Sequence, residues 1–417
     1  MTDPRNITKF NPIPVLQGRE VDDESTLYNE AGTEAVHIKF TIPDESVIAM
    51  ISAATGGAVP AQAKPVEGWP VLIFQHGLGQ SNDNALLIAS ALAMAGYATA
   101  AIDHPLHGAR TITVAEVTYD SGDFFPATSQ LTSRDHGRQS IADIMAFRLA
   151  LNGINDSTGL VDLNTSDVHF MGQSLGAIFG TGAVALANKS LVGDLAAFDS
   201  MYAFKTANIN VPAGGTTVGA FDSPVFGPGI KGSLLFASSP EFVEFLTTYA
   251  LQNELEPATA IGPAYLAFEQ VISAEQAAVI NATFSAVGFA AQTVTDASDP
   301  ISYAAELTST TPVLLQLVVG GGNNDDGSTG LTDQVNPITT SLPLVGGQPL
   351  ADIMGLLKVS TSTEGSGVVR FIAGSHSSLL SPTPSAATTA EMQSQAVSFI
   401  VSGGANIVVT DTSVVEN

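Results

Sequence analysis

The sequence predicts an α/β fold: a mostly parallel central sheet with helices on both faces, and a largely helical cap inserted into it. Three observations predict it. Continuous apolar runs at 71–74, 98–102 and 167–171 alternate with stretches of helical length. Strands that are apolar on both sides belong to a sheet covered on both faces. The pattern resumes at 311–319 and 367–372 after a long interruption. Every one of these runs ends in a loop rich in Gly, His, Ser or Asp, and the carboxyl ends of parallel strands are where such sheets carry their chemistry.

Residues 1–33 are polar, with scattered Pro and Gly, and read as an irregular lead-in. Val36, Ile38 and Phe40 alternate with His37 and Lys39, which predicts a half-exposed strand over 35–40. The stretch 46–53 is expected to pair with it across Pro43-Asp44-Glu45, and 58–70 is a Pro- and Gly-rich connection. A buried strand at 71–74 leads into Gln75-His76-Gly77-Leu78-Gly79. A helix at 84–95 and a strand at 98–102 follow, ending in Asp103-His104-Pro105-Leu106-His107-Gly108. Over 133–151, Ile141, Ile144, Met145 and Leu149 recur at helical spacing opposite Arg134, Asp135 and Arg138, so this stretch is an amphipathic helix.

The interruption spans 190–306. A core strand is expected near 207–211, then helices at 240–253, 263–273 and 273–293. The last opens on Ser273-Ala274-Glu275-Gln276, a capping-box pattern. It carries no charge over 277–294 and holds Val279, Ile280, Phe284, Val287 and Phe289. Such a helix either packs as a core element or covers an apolar site; the cap is the preferred reading. After the strands at 311–319 and 367–372, a helix at 386–401 closes the chain, with an edge strand at 405–410. The chain thus divides into a lead-in with edge strands (1–60), the first part of the core (61–189), the cap (190–306) and the second part of the core (307–417).

Composition narrows the function. Of 417 residues 45% are apolar and 13% charged, about half the usual charged share, so a large core is available. Forty acidic against fourteen basic residues give a net charge of −26. That argues against nucleic acid and against anionic membranes as partners. With no cysteine there are no disulfides, no thiolate catalysis and no Cys-held metal. The opening Met-Thr-Asp-Pro-Arg-Asn lacks a basic-then-apolar export pattern, which leaves a cytoplasmic protein or one shown without its export segment. The longest nearly uncharged run, 86–102, is broken by Gly96-Tyr97 and reads as helix then strand, so no transmembrane segment is expected.

The chemistry centres on Gly172-Gln173-Ser174-Leu175-Gly176. With 39 glycines a bare G-x-S-x-G arises by chance, but here an apolar run precedes it and a small-residue helix follows. That context predicts a sharp strand-to-helix turn that exposes the Ser174 hydroxyl, with side chains at 172 and 176 excluded by the neighbouring strand and helix. Gly180, one turn on, lets the helix lie close to the sheet. A serine hydroxyl needs a base in reach, and the base needs an orienting carboxylate. On such folds the chain order is Ser, then Asp or Glu, then His. His376, in Gly374-Ser375-His376-Ser377 after the last core strand, is the expected base, and activity should fall on the acid side as it takes a proton. The acid follows the strand ending at Val319. Asp333 in Asp333-Gln334-Val335-Asn336-Pro337 is the preferred candidate, with Asp325 and Asp326 as alternatives that also read as a solvated or calcium-friendly turn. Backbone N–H groups of Leu78 and Leu175 are expected to form the oxyanion hole. His76, His104 and His107 are expected to shape loops first, with a metal pair as the second reading. No metal and no organic cofactor is called for.

With these residues the chain resembles the serine esterases and lipases of the α/β-hydrolase superfamily, from about residue 71 to about 401 with 190–306 as a variable insertion. Gln75-His76-Gly77-Leu78-Gly79, Arg134-Asp135-His136-Gly137-Arg138-Gln139, Thr332-Asp333-Gln334-Val335-Asn336-Pro337 and Gly374-Ser375-His376-Ser377 look like bacterial extracellular lipases of the virulence-factor, lysophospholipase-like type. The resemblance implies hydrolysis of a small-molecule or lipid ester, export to the cell surface or medium, and no organic cofactor. It does not extend to the long N-terminal region or the lipid-anchor cysteine of those proteins. A lysophospholipase, polyester hydrolase, thioesterase or peptidase would use the same triad. A catalytically dead binding protein is disfavoured because all three triad residue types are present.

Overall fold

The computed structural model describes residues 36–417, except 115, 127, 128, 155, 157, 158 and 160; the expected lead-in and the first residue of the expected 35–40 strand lie outside them. The central sheet has eight strands: β1 (Ile38–Thr41), β2 (Trp69–Gln75), β3 (Ala98–Ile102), β4 (Leu163–Gln173), β5 (Ala207–Asn210), β6 (Val313–Val318), β7 (Lys358–Val359) and β8 (Gly367–Phe371). Their order is β1-β3-β2-β4-β5-β6-β8-β7. Only β1 runs antiparallel, against β3; the other neighbours are parallel.

Period-two alternation divides the strands between two cores. On one face Val71, Ile73 and Phe170 pack under α3 (Gln130–Ala150) and α4 (Leu175–Ala187). On the other, Leu72, Phe74 and Met171 pack under α2 (Leu86–Met94) and the closing helix (Ala386–Val401). Both faces are therefore dry, which is why these strands read as unbroken apolar runs.

Four expectations need correction. The stretch 46–53 is not a strand but helix α1 (Glu45–Ala54). The Asp44 carboxylate accepts from Ser46 N at 2.9 Å and Val47 N at 3.3 Å, so a side-chain cap at the turn outweighs the β-branched residues beyond it. The partner of β1 is β3 instead. The expected helix at 263–273 begins earlier, at Pro257, and keeps Pro263 inside it. The expected strand at 405–410 is reduced to Asn406–Ile407, which pairs with Thr363–Glu364 in a separate ribbon; β7 takes the sheet edge. A helix at Gly227–Ser238 was not expected, because three glycines dilute its signal. One of them is needed for packing: a Cβ on Gly232 would stand 2.7 Å from the Ile261 side chain.

Strand β5 sits between β4 and β6, so residues up to 210 belong to the sheet. The helical insertion lies between β5 and β6. Its helices are α5 (Thr216–Gly219), α6 (Gly227–Ser238), α7 (Pro240–Gln252), α8 (Pro257–Glu269) and α9 (Ala274–Thr295). Helices α6 to α9 share a small core of their own, including Phe242, Leu246, Tyr265, Phe268 and Phe284. The Ser273 hydroxyl and Gln276 close the expected capping box at the start of α9. Among the described residues α9 is the one helix long and apolar enough to cross a membrane, and only 17% of its most apolar window is buried. It turns Phe284, Gly288 and Ala291 inward and leaves Val279 and Phe289 exposed.

Candidate active site

The turn from β4 to α4 is built by close approach. A Cβ on Gly172 would stand 2.4 Å from the Gly176 carbonyl oxygen, and one on Gly176 would stand 2.1 Å from that of Gln75. One helical turn further, a Cβ on Gly180 would stand 2.2 Å from the Phe170 ring. Chain path at the turn forces Ser174 to φ 56° and ψ −118°, outside the regions open to ordinary side chains, at a cost of about 1–3 kcal/mol. Its N–H donates to Asn210 O at 2.9 Å on β5, and its own carbonyl accepts from Ala177 and Ile178. The hydroxyl is left at the carboxyl end of the sheet, where α4 begins.

His376 lies beyond β8. Its Nε2 is 2.7 Å from Ser174 Oγ, and its Nδ1 is 2.7 Å from Asp333 Oδ2. Asp333 is buried, and its other oxygen accepts from Val335 N at 2.8 Å and Asn336 N at 3.0 Å. An ionised carboxylate only accepts, so the proton facing it belongs to Nδ1 of His376. Nε2 is then free to accept from the Ser174 hydroxyl, the arrangement that proton transfer from the serine requires.

The two other acids are occupied elsewhere. Asp325 accepts from Ala386 N at 2.8 Å, at the start of the closing helix. Asp326 accepts from Ser328 N at 2.9 Å and from its hydroxyl at 2.6 Å, which holds its carboxyl below the usual range. Asp326 therefore shapes the 323–329 turn and Asp325 ties that turn to the closing helix, while Asp333 alone of the three meets His376.

The segment 75–79 stands beside the serine. Gly77 N donates to Gln80 Oε1 at 2.9 Å, and a Cβ on Gly77 would meet Ser174 Cβ at 3.1 Å. Leu78 and Leu175 both line the cavity that opens on Ser174 and His376. That cavity has a volume of about 980 Å³. On the insertion side its wall is apolar, formed by Phe221, Ile230, Leu234, Val287 and Val294.

Three further histidines, His76, His104 and His107, brace the loops below. His76 is fully buried, accepts from His104 N at 3.1 Å through Nε2 and faces Gly77 O at 2.8 Å with Nδ1. That pattern makes it the neutral Nδ1–H form, and burial holds its pKa down to about 3. Burial also lowers His104 and His107, and His107 Nδ1 reaches Pro105 O at 2.8 Å. Among the described residues no group of three or more His, Asp or Glu could hold a metal.

These three rings make stability depend on pH in a known direction. Folded, they stay neutral; unfolded, they take up protons as pH falls through 6.5. Stability is therefore intact above about pH 6.5 and declines toward about pH 5, a range in which unfolded carboxylates remain ionised. Asp299, whose carboxyl burial raises, acts in the opposite direction as it takes up its proton in the folded state. Denaturant midpoints should drop from pH 7 to pH 5, with protons taken up on unfolding; equal midpoints would show that these histidines do not act this way.

Three supporting residues carried no sequence signal beyond lying beside a motif. Gln173 donates from Nε2 to His376 O at 3.0 Å and so ties the His376 loop to the end of β4. Gln80 holds Gly77. Asn336 donates from Nδ2 to Val211 O at 2.8 Å and anchors the acid turn on the end of β5.

Residues 45–124 match the family described as platelet-activating factor acetylhydrolase, isoform II, well under half of the chain. No curated protein matches the sequence. Among solved structures, a proline iminopeptidase from Mycobacterium smegmatis is 15% identical with a TM-score of 0.40, covering 88% of this chain and 94% of that one. A lipase in its open form is 14% identical, TM-score 0.41, covering 91% and 97%. A monoacylglycerol lipase from Paleococcus ferrophilus is 13% identical, TM-score 0.40, covering 89% and 100%. At this distance none of them bears on the substrate.

Proposed function

We infer that this chain, an α/β-hydrolase in its sheet and turn architecture, is a serine-dependent carboxylic ester hydrolase working through an acyl-enzyme. The observation that carries the reading is the pair of 2.7 Å contacts linking Ser174, His376 and Asp333 at the mouth of an apolar cavity. Ser174 Oγ attacks the ester carbonyl carbon as its proton passes to His376 Nε2. Asp333 stabilises the imidazolium that forms. The N–H groups of Leu78 and Leu175 hold the oxyanion. The imidazolium then gives its proton to the leaving alcohol, and a water repeats the cycle on the acyl-enzyme to release the acid. In this reading the α6–α9 insertion is a cap over the acyl part of the substrate. Export to the cell surface or medium belongs to the same proposal and rests on the resemblance of the 75–79, 134–139, 332–337 and 374–377 segments to exported lipases.

A panel of p-nitrophenyl esters from acetate to long acyl chains, set against matched anilides and thioesters, tests this. Esters should turn over, with KM falling as the acyl chain lengthens into the apolar wall. Preferred cleavage of anilides or thioesters would move the function to a peptidase or thioesterase. Failure of a fluorophosphonate to label Ser174 would leave a binding protein.

A further inference from the structure

The insertion joins the sheet through two segments, and one buried carboxylate binds them together. Asp299 is 4% exposed and lies on the exit segment that follows α9. Its Oδ1 accepts from Gly215 N at 3.0 Å on the entry segment and from Ile301 N at 3.0 Å on the exit. Its Oδ2 accepts from Thr216 N at 2.7 Å and from Gln292 Nε2 at 3.0 Å in the last turn of α9. Gln292 in turn accepts through Oε1 from Thr217 N at 3.0 Å and Val218 N at 3.1 Å. The Thr217 and Thr295 hydroxyls meet at 2.7 Å.

The entry segment and α9 both face the substrate cavity. Ala213, Thr216, Thr217 and Ala220 line it from the entry side, and Val287 and Val294 line it from α9. We propose that Asp299 is a positioning residue: through Gly215, Thr216 and Gln292 it sets the spacing between these two cavity walls and thereby the discrimination among acyl chains. The proposal rests on the ester-hydrolase reading. A carboxylate suits the task because two oxygens receive four donors from both segments at once. An amide of the same shape brings only one acceptor and turns an N–H₂ toward groups that are themselves donors.

The test is Asp299→Asn, read in two ways. Hydrogen exchange at the amides of 215–218 should accelerate, since their acceptors are lost or reoriented; this arm needs no substrate. In kinetics, KM for a long-chain ester should rise about tenfold, the scale of a reshaped apolar pocket. Turnover of the acetate ester and the rate of fluorophosphonate labelling should stay within about twofold, because Ser174, His376 and Asp333 are held by other elements. If Asp299→Asn does not fold, Gln292→Leu must show the same selective loss. Unchanged amide exchange, or an equal loss for all chain lengths, overturns the proposal. A wild-type protein inert toward every ester sinks the hydrolase reading instead, and the exchange result alone then decides whether Asp299 sets the wall.

Discussion

Ser174→Ala lowers turnover of an acyl ester by about 10⁴- to 10⁶-fold, the range seen when a triad nucleophile is lost. The fold survives, because the turn is held by Gly172, Gly176 and the 2.9 Å bond from Ser174 N to Asn210 O, none of which involves the hydroxyl. The thermal midpoint should stay within a few degrees of wild type. Asp333→Asn supplies the companion measurement: losing the acceptor at His376 Nδ1 favours the wrong tautomer and costs about 10⁴-fold. Asp326→Asn is its control and should leave activity intact, since that side chain bonds only within its own turn. Residual activity near wild type in Ser174→Ala would end the nucleophile assignment.

The largest effect on stability is expected from Gly176→Ala. The new methyl would meet Gln75 O at 2.1 Å, Gln75 C at 2.6 Å and His76 O at 2.8 Å. All three are backbone atoms at the end of a central strand and the residue after it, so no side chain can swing aside. Either α4 lifts off the sheet or β2 shifts, and both disrupt fully buried packing around Phe74 and Ala177. The loss should exceed about 4 kcal/mol, enough to deprive the protein of its soluble fold. Gly229→Ala is the matched control. Nothing lies within 4 Å of a Cβ there, and the site is inside α6, so alanine should be neutral or stabilising by up to about 1 kcal/mol. A soluble Gly176→Ala with an unchanged midpoint would mean that close approach is not what the second glycine of the motif serves.

The difference between legible and illegible parts follows from range. Strands β2, β3, β6 and β8 announce themselves because burial on both faces demands unbroken apolar runs, and that demand is local. The helix over 133–151 and the capping box at 273–276 are legible for the same reason. Helix α1 was missed because a single Asp44 cap reverses the preference of an ambiguous stretch. Helix α6 was missed because its glycines answer a neighbour, Ile261, that lies far along the chain.

By itself the sequence determined the parallel sheet, the strained serine turn and the order serine, acid, histidine, since each is written in contiguous residues whose burial or crowding is a local property. Tertiary structure alone decided which aspartate meets the histidine, a contact across 43 residues, and that the histidine meets the serine across 202. It also decided that Gln173 holds the His376 loop and that Asp299 joins both ends of the insertion. These choices depend on where distant strand ends converge, and hydrogen bonds act only over about 3 Å, so no spacing along the chain reveals them.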